Sequence, residues 1–345
     1  MNKTNSKHII ILGTGGTIAG KAASAADNVG YTAAQVGVAQ LLAAIPSLVG
    51  ANGSAQYGDC ELVCEQVAQI DSKDMNFAVW QQLLARCAHW LAQPQVQSVV
   101  VTHGTDTLEE TAYFLQATLN PSKPVVLACA MRPSTAMAPD GPQNLLDALA
   151  VAAHPGAQGV VAVCSGTIHS AIDVQKVHTY HLDAFSSGDA GSVGTVAEGQ
   201  LNLHRNWPSN KDVAGVNIAY KAINNIAKIT TLPRVEIVLN HAGSDGAIVN
   251  ALLAQKVQSL DNTLRGIVVA ATGNGTISTD LEAALHAAQA AGVAVWRSTR
   301  CAFGKVIGKA DTGLGDAHGL SPVKARIALM LQLAERTAVS ADQAI

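Results

Sequence analysis

Charge is scarce in this chain: only 14% of its 345 residues are Asp, Glu, Lys or Arg, against about 25% in an average domain. A basic surplus is missing too, since 22 Lys and Arg face 25 Asp and Glu for a formal net charge of −3. Nucleic-acid binders carry a basic patch or stripe, so nucleic acid is excluded as a partner. Hydrophobic residues reach 48%, which rules out a disordered chain. No run approaches the roughly 18 apolar residues of a membrane helix, so no membrane partner is expected. Nor is an export signal expected: Lys3 and Lys7 could imitate its charged end, but the apolar run at 9–12 stops at Gly13, short of the roughly 7–15 residues required. The six cysteines (Cys60, Cys64, Cys87, Cys129, Cys164, Cys301) are scattered through apolar segments. Reduced, mostly buried thiols and a cytoplasmic location follow as expectations. A chain so poor in charge and rich in Ala, Val and Leu is expected to hide much of its surface in an oligomer.

The length exceeds twice that of a common domain, so two domains are expected. Short apolar runs at 8–12, 62–70, 98–102, 124–129, 159–164, 235–240, 266–271 and 293–296 read as strands. Helical patterns fall at 33–44, 75–91, 108–119, 141–153, 247–260, 279–291 and 322–336. This alternation predicts an α/β fold with a mostly parallel, doubly wound sheet. It breaks at 205–231, which opens with the polar, Pro-containing stretch Arg205-Asn206-Trp207-Pro208-Ser209-Asn210-Lys211-Asp212. The expected division is a larger N-terminal domain at 1–204, a linker at 205–231 and a smaller α/β C-terminal domain at 232–345.

Directly after the first strand comes Gly13-Thr14-Gly15-Gly16-Thr17-Ile18-Ala19-Gly20. Loops at the carboxyl ends of parallel strands face the crevice where ligands bind, and adjacent glycines let backbone amides approach a ligand. A dinucleotide fingerprint would need Gly where Ile18 stands. A phosphate-binding P-loop nearly fits Gly15 to Lys21, but Ala22 supplies no hydroxyl for magnesium. A third reading makes Thr17 a nucleophile held by a glycine turn; by itself, an ordinary tight turn explains the loop equally well.

A second loop of the same kind follows the strand at 98–102: His103-Gly104-Thr105-Asp106-Thr107-Leu108-Glu109-Glu110. Thr107 and Glu110 have capping-box spacing, so a helix is expected to start at Thr107. That leaves a hydroxyl, Thr105, beside an acid, Asp106, in the crevice and free of a capping duty. His103 invites a triad reading, but a packed, hydrogen-bonded histidine is the preferred one.

Taken together, Thr14 to Gly20 and Thr102-His103-Gly104-Thr105-Asp106-Thr107-Leu108-Glu109-Glu110-Thr111-Ala112 resemble the two signature loops of the bacterial-type L-asparaginase/glutaminase family. The resemblance extends to Tyr31-Thr32, Ile70-Asp71-Ser72-Lys73-Asp74-Met75, Ala130-Met131-Arg132-Pro133-Ser134-Thr135, Asp140-Gly141-Pro142, Asn144-Leu145, Val174-Gln175-Lys176 and Gly273-Asn274-Gly275. It implies hydrolysis of L-asparagine to L-aspartate and ammonia without a cofactor or metal. Such chemistry needs an activated nucleophile, oxyanion donors and an acid for the departing ammonia. By the resemblance, Thr17 forms the acyl-enzyme with Tyr31 closing over it, and Thr105, Asp106 and Lys176 make a second triad. Backbone amides of the Gly15-Gly16 turn or of Thr105 are the expected oxyanion donors. Ser72 and Asp106 are similar to residues that clamp the substrate's charged groups, and the Ala130 carbonyl to one contacting its amide; Asp71 is expected to place a carboxylate beside the substrate's ammonium. Asn274 is expected to complete a neighbouring subunit's site, in a homotetramer with active sites at subunit interfaces.

Two departures bear on the transfer. Asp71 stands where many exported members have a small residue, which looks more like the cytoplasmic subgroup. The C-terminal-domain Glu of exported members is missing, since no Glu lies between Glu282 and Glu335; Asp311, Asp316 or Asp71 is expected to replace it. His178-Thr179-Tyr180-His181 and the pair Cys60 and Cys64 lack the further ligands of a metal site. The loop at 183–189 is read as an interface or a support for Lys176. The competing readings are a P-loop-like nucleotide-binding protein and a non-catalytic amino-acid sensor.

Overall fold

The computed structural model describes residues 7–50, 54–209, 231–255, 263–307 and 313–342. Two compact units divide the chain, Met1–Asp212 and Val213–Ile345. Of the expected linker, 210–230 lies outside the described residues. At its start, Arg205 pairs with Asp173 and Trp207 packs on the first unit's core.

In the first unit the strands are β1 (Lys7–Gly15), β2 (Gln56–Tyr57), β3 (Cys60–Ile70), β4 (Val96–Thr102), β5 (Val125–Ala128), β6 (Val160–Cys164), β7 (Thr167–Ser170), β8 (Gln175–Lys176), β9 (Phe185–Ser186), β10 (Gly194–Ala197) and β11 (Gln200–Leu203). Among the described residues they form a nine-stranded sheet in the order β11-β10-β7-β6-β5-β4-β1-β3-β2, with β8 and β9 as a separate ribbon. The sheet is mixed. Its middle, β3-β1-β4-β5-β6, is parallel, and antiparallel pairs flank it on both sides. Strands such as Ile9-Ile10-Ile11-Leu12 and Val99-Val100-Val101 are wholly buried because helices cover both faces. Helices α1 (Val38–Ala43) and α4 (Gly141–Ala153) share a core with Ile9, Ile11, Val100 and Val126. Helices α2 (Phe77–Leu91) and α3 (Leu108–Leu119) pack on β4 and β6 and against each other.

The helix expected at 33–44 begins only at Val38. Ala34 adopts a left-handed φ of 57°, and the N–H groups of Ala34, Gln35 and Val36 donate to the carbonyls of Gly16 and Ala19. Donors spent on the first loop cannot build a helical ladder.

The second unit carries a parallel sheet, β12-β13-β14-β15 (Arg234–Leu239, Leu264–Ala271, Ala294–Thr299, Gly315–Asp316), among its described residues. Helices α5 (Ala247–Ala254) and α6 (Thr279–Ala290) share a core with Ile267, Val269 and Val295. Helix α7 (Pro322–Asp342) packs on β12 and β13, where the missing side chain of Gly266 admits Leu329. The end of the helix expected at 247–260 falls outside the described residues.

Candidate active site

Four neighbouring parallel strands, β3, β1, β4 and β5, send their carboxyl ends into the loops that carry Asp71 and Ser72, Thr17, Thr105 and Asp106, and Ala130. The chain goes from β1 to β3 on one side and then crosses to β4 on the other, so the loops of β1 and β4 meet at the switch point where α/β sheets bind ligands.

Glycine lets these loops touch backbone to backbone. Gly15 and Gly16 have φ of 104° and 78°, a region that side chains disfavour. A Cβ on Gly16 would fall 2.3 Å from the Gly104 Cα, and one on Gly104 would fall 2.4 Å from the Ser72 Oγ. Hydrogen bonds then lock the stack. The Thr14 hydroxyl donates to the Thr102 carbonyl (2.9 Å), and the Asp106 N–H donates to the Ser72 Oγ (3.2 Å). The Thr107 hydroxyl donates to the Ser72 carbonyl (2.8 Å). Thr107 is therefore the residue before α3 but its side chain does not cap it; the expected capping box is absent because the hydroxyl is used between loops.

Thr17 opens a short 3-10 turn, Thr17–Ala19, and is buried. Its Oγ1 lies 2.7 Å from the Tyr31 Oη, although Tyr31 comes from a largely exposed segment. Thr105, also buried, accepts a hydrogen bond from the Lys176 Nζ at 2.9 Å, and the same ammonium pairs with Asp106 at 2.6 Å. Lys176 is 18% exposed and Asp106 55%. Strand β9 pairs Phe185 with Lys176, so the loop at 183–189 supports the lysine. A cation on the Thr105 oxygen favours release of that hydroxyl's proton.

Gly16 itself is spent internally. Its N–H donates to the Ile70 carbonyl (2.8 Å) and its carbonyl accepts from Ala19 and Ala34. That removes its amide from the expected oxyanion donors, because the bond ties the loop to β3. Asp71 pairs with Lys73 at 2.8 Å and is one-third exposed. Ser72 is buried beneath the second loop. Ala130 is buried with Ile18, Ala19 and Val36. Its loop is clasped by Asp140, whose carboxylate accepts the Met131 and Arg132 N–H groups, both at 2.9 Å. The loop in turn grips the first one through Ser134 to the Gly20 carbonyl.

His103 is fully buried, and burial pushes its pKa down to about 4. It is a neutral, packed residue bonded to the Gly104 carbonyl at 2.7 Å. The P-loop reading fails on geometry: Lys21 is held in a backbone bridge to Thr32, and the next helix waits until Val38, so no helix N-terminus receives a phosphate.

In the second unit, both ends of the Asn274 amide bond the Ile307 backbone, at 2.8 and 2.7 Å. Asp316 accepts from the His318 N–H, and Asp311 lies outside the described residues. Among the described residues, no group of three His, Cys, Asp or Glu side chains could hold a metal, and no helix is long and apolar enough to cross a membrane. Cys301, in the second unit, is exposed, unlike the buried Cys60, Cys87, Cys129 and Cys164. Gln66 and Gln69 of β3 are site-building residues that no spacing in the sequence singled out, because they bond backbone groups 28 to 35 residues away.

Two buried threonine hydroxyls lie on adjoining crevice loops, Thr17 bonded to the Tyr31 hydroxyl and Thr105 to the Lys176 ammonium, and mark the candidate active site of an enzyme. Comparison with known proteins narrows the class. Residues 8–209 match the family described as "Asparaginase, N-terminal", and residues 234–344 the "Glutaminase/Asparaginase C-terminal domain". The chain belongs to the asparaginase family. It is 36% identical to L-asparaginase 2 of Bacillus subtilis (strain 168), covering 96% of this chain and 84% of the relative. It is also 36% identical to the glutaminase-asparaginase of Pseudomonas fluorescens biotype A, over 96% and 87%. Among solved structures, the probable cytoplasmic L-asparaginase from Campylobacter jejuni matches with a TM-score of 0.83 at 36% identity, covering 95% of each chain.

Proposed function

We propose that the protein hydrolyses the side-chain amide of L-asparagine to L-aspartate and ammonia, with side activity on L-glutamine. The observation that carries this reading is the 2.7 Å bond between the Thr17 and Tyr31 hydroxyls, beside the Lys176–Thr105–Asp106 cluster. The Thr17 Oγ attacks the amide carbon and passes its proton toward Tyr31. Collapse of the tetrahedral intermediate breaks the C–N bond; the nitrogen takes up a proton and leaves as ammonia, leaving an ester on Thr17. Water, oriented and deprotonated at the Thr105 cluster, then attacks the ester, releasing L-aspartate and returning the proton to Thr17. The Thr105 N–H stabilises the oxyanion. Ser72 and Asp71 hold the substrate's charged ends, with Asp106, and the Ala130 carbonyl meets its amide. Asn274, by fixing the loop at Ile307, shapes a surface offered to a neighbouring subunit's site in a homotetramer. The Campylobacter relative's description favours a cytoplasmic setting.

Ammonia release from L-asparagine and L-glutamine, with a chelator present, tests the proposal. Wild type should be active and Thr17→Ala inactive; activity that requires ATP or magnesium, or that survives the loss of Thr17, overturns it. Sedimentation of the same samples reads the assembly.

A further inference from the structure

We propose that Gln69 is a positioning residue that holds Tyr31 against Thr17; this rests on Tyr31 taking part in the reaction as proposed above. Tyr31 lies in the segment between Gly20 and Val38, which is mostly exposed and forms no helix or strand of its own. Its backbone is tied at a few points. Lys21 and Thr32 exchange N–H···O bonds of 2.9 Å, and Ala34, Gln35 and Val36 donate to the Gly16 and Ala19 carbonyls. To make these bonds the chain turns at Ala34 with φ 57°, a conformation that a residue with a Cβ adopts at a cost and that neighbouring contacts must sustain.

That turn brings the carbonyls of Ala34 and Val36 to the end of β3. There the Gln69 side-chain amide donates to both, at 2.7 and 3.1 Å. One NH2 group with two hydrogens satisfies two carbonyls of the strained turn. The next residue, Ile70, accepts the Gly16 N–H at 2.8 Å. The end of β3 therefore grips the loop of Thr17 with Ile70 and the segment of Tyr31 with Gln69. Gln66, on the same strand, accepts the Val38 N–H at 2.9 Å and fixes where the segment ends. The Thr17–Tyr31 distance is set by a rigid strand, through bonds that a flexible segment could not supply alone.

The test uses Gln69→Ala and Gln69→Glu, alone and with Tyr31→Phe, in the full chain. Gln69→Ala should lower kcat about tenfold, since small misplacements of reacting groups cost orders of magnitude, and change KM less. Gln69→Glu should do no better, because a carboxylate cannot donate to two carbonyls. In the Tyr31→Phe background, removing Gln69 should cost less than about twofold, because residues acting as one unit are non-additive. Amide exchange at 31–36 should accelerate in Gln69→Ala without a change in the global unfolding midpoint. The proposal is overturned if exchange at 31–36 is unchanged, or if the kcat loss is as large in Tyr31→Phe as in wild type. Full activity of Tyr31→Phe with faster exchange in Gln69→Ala would refute the role of Tyr31, and with it the catalytic purpose of the clasp.

Discussion

The two hydroxyl centres are built differently. Around Thr105, three groups come from the loop between β4 and α3 and from a supported two-strand ribbon, and bonds of 2.6 and 2.9 Å already join them. Around Thr17, the threonine sits on an equally rigid loop, but its partner Tyr31 arrives from an exposed segment held by backbone bridges and one glutamine side chain. The second centre is pre-organised by the fold, whereas the first must keep its partner in place by tethers. A pre-organised ion pair resists local opening; a tethered segment opens at lower cost. In the proposed mechanism this suits a site that admits a free amino acid and then excludes water from the attacking hydroxyl.

Substitutions can break that contrast, the most severe first. Thr17→Ala removes the proposed nucleophile and should lower kcat on the order of 10⁴-fold or more, read by ammonia release. Lys176→Met leaves the Thr105 oxygen without its cation and should lower kcat by roughly 10²–10⁴-fold. Accumulation of ester on Thr17, seen by intact-mass spectrometry, would place the damage at deacylation; a loss confined to the first turnover would contradict the division of labour. Asp71→Ala should raise KM about tenfold with little change in kcat, because a hydrogen bond to a charged group is worth roughly 1.5–3 kcal/mol. An unchanged KM means that the carboxylate serves only Lys73.

Two stability measurements probe the scaffold. The Arg86 guanidinium, bonded to Glu65, holds that carboxyl below its ordinary value, with Trp90 adding a further bond. A lowered folded pKa means stability that is present above the ordinary glutamate range and lost as pH falls through the folded value. Glu65→Gln should therefore lower the unfolding midpoint at pH 7 and converge with wild type in acid. Asp147 is the opposite case, raised by burial despite its bond from Gln143. Its charge costs stability as pH rises past the ordinary aspartate range, so Asp147→Asn should stabilise slightly at pH 7 and lose that gain in acid.

Much of this was legible in one chain. The strands whose residues are buried on both faces appear as unbroken apolar runs, as in β1 and β4, and their positions follow directly. Thr17, Thr105 and Asp106 stood out as candidates because two long motifs carry them, and Lys176 only through the short match at Val174-Gln175-Lys176. The antiparallel pieces β7, β10 and β11 were not, since four-residue strands with mixed polarity leave no periodic signal. The helix expected from 33 failed because tertiary hydrogen bonds outbid local propensity at Ala34. The capping box at Thr107 failed for a similar reason, as its hydroxyl found the Ser72 carbonyl 35 residues away.

The sequence by itself determined the α/β class and pointed to the two glycine-bearing loops of the candidate site, because apolar runs and glycine spacing are local properties. Only the tertiary structure decided which groups meet. It spent the Gly16 amide on Ile70, joined Lys176 to a threonine 71 residues away, and set Gln69 under the turn that carries Tyr31. Hydrogen-bond partners are chosen by proximity in space, and each donor and acceptor, once satisfied, is closed to the alternatives a linear reading leaves open.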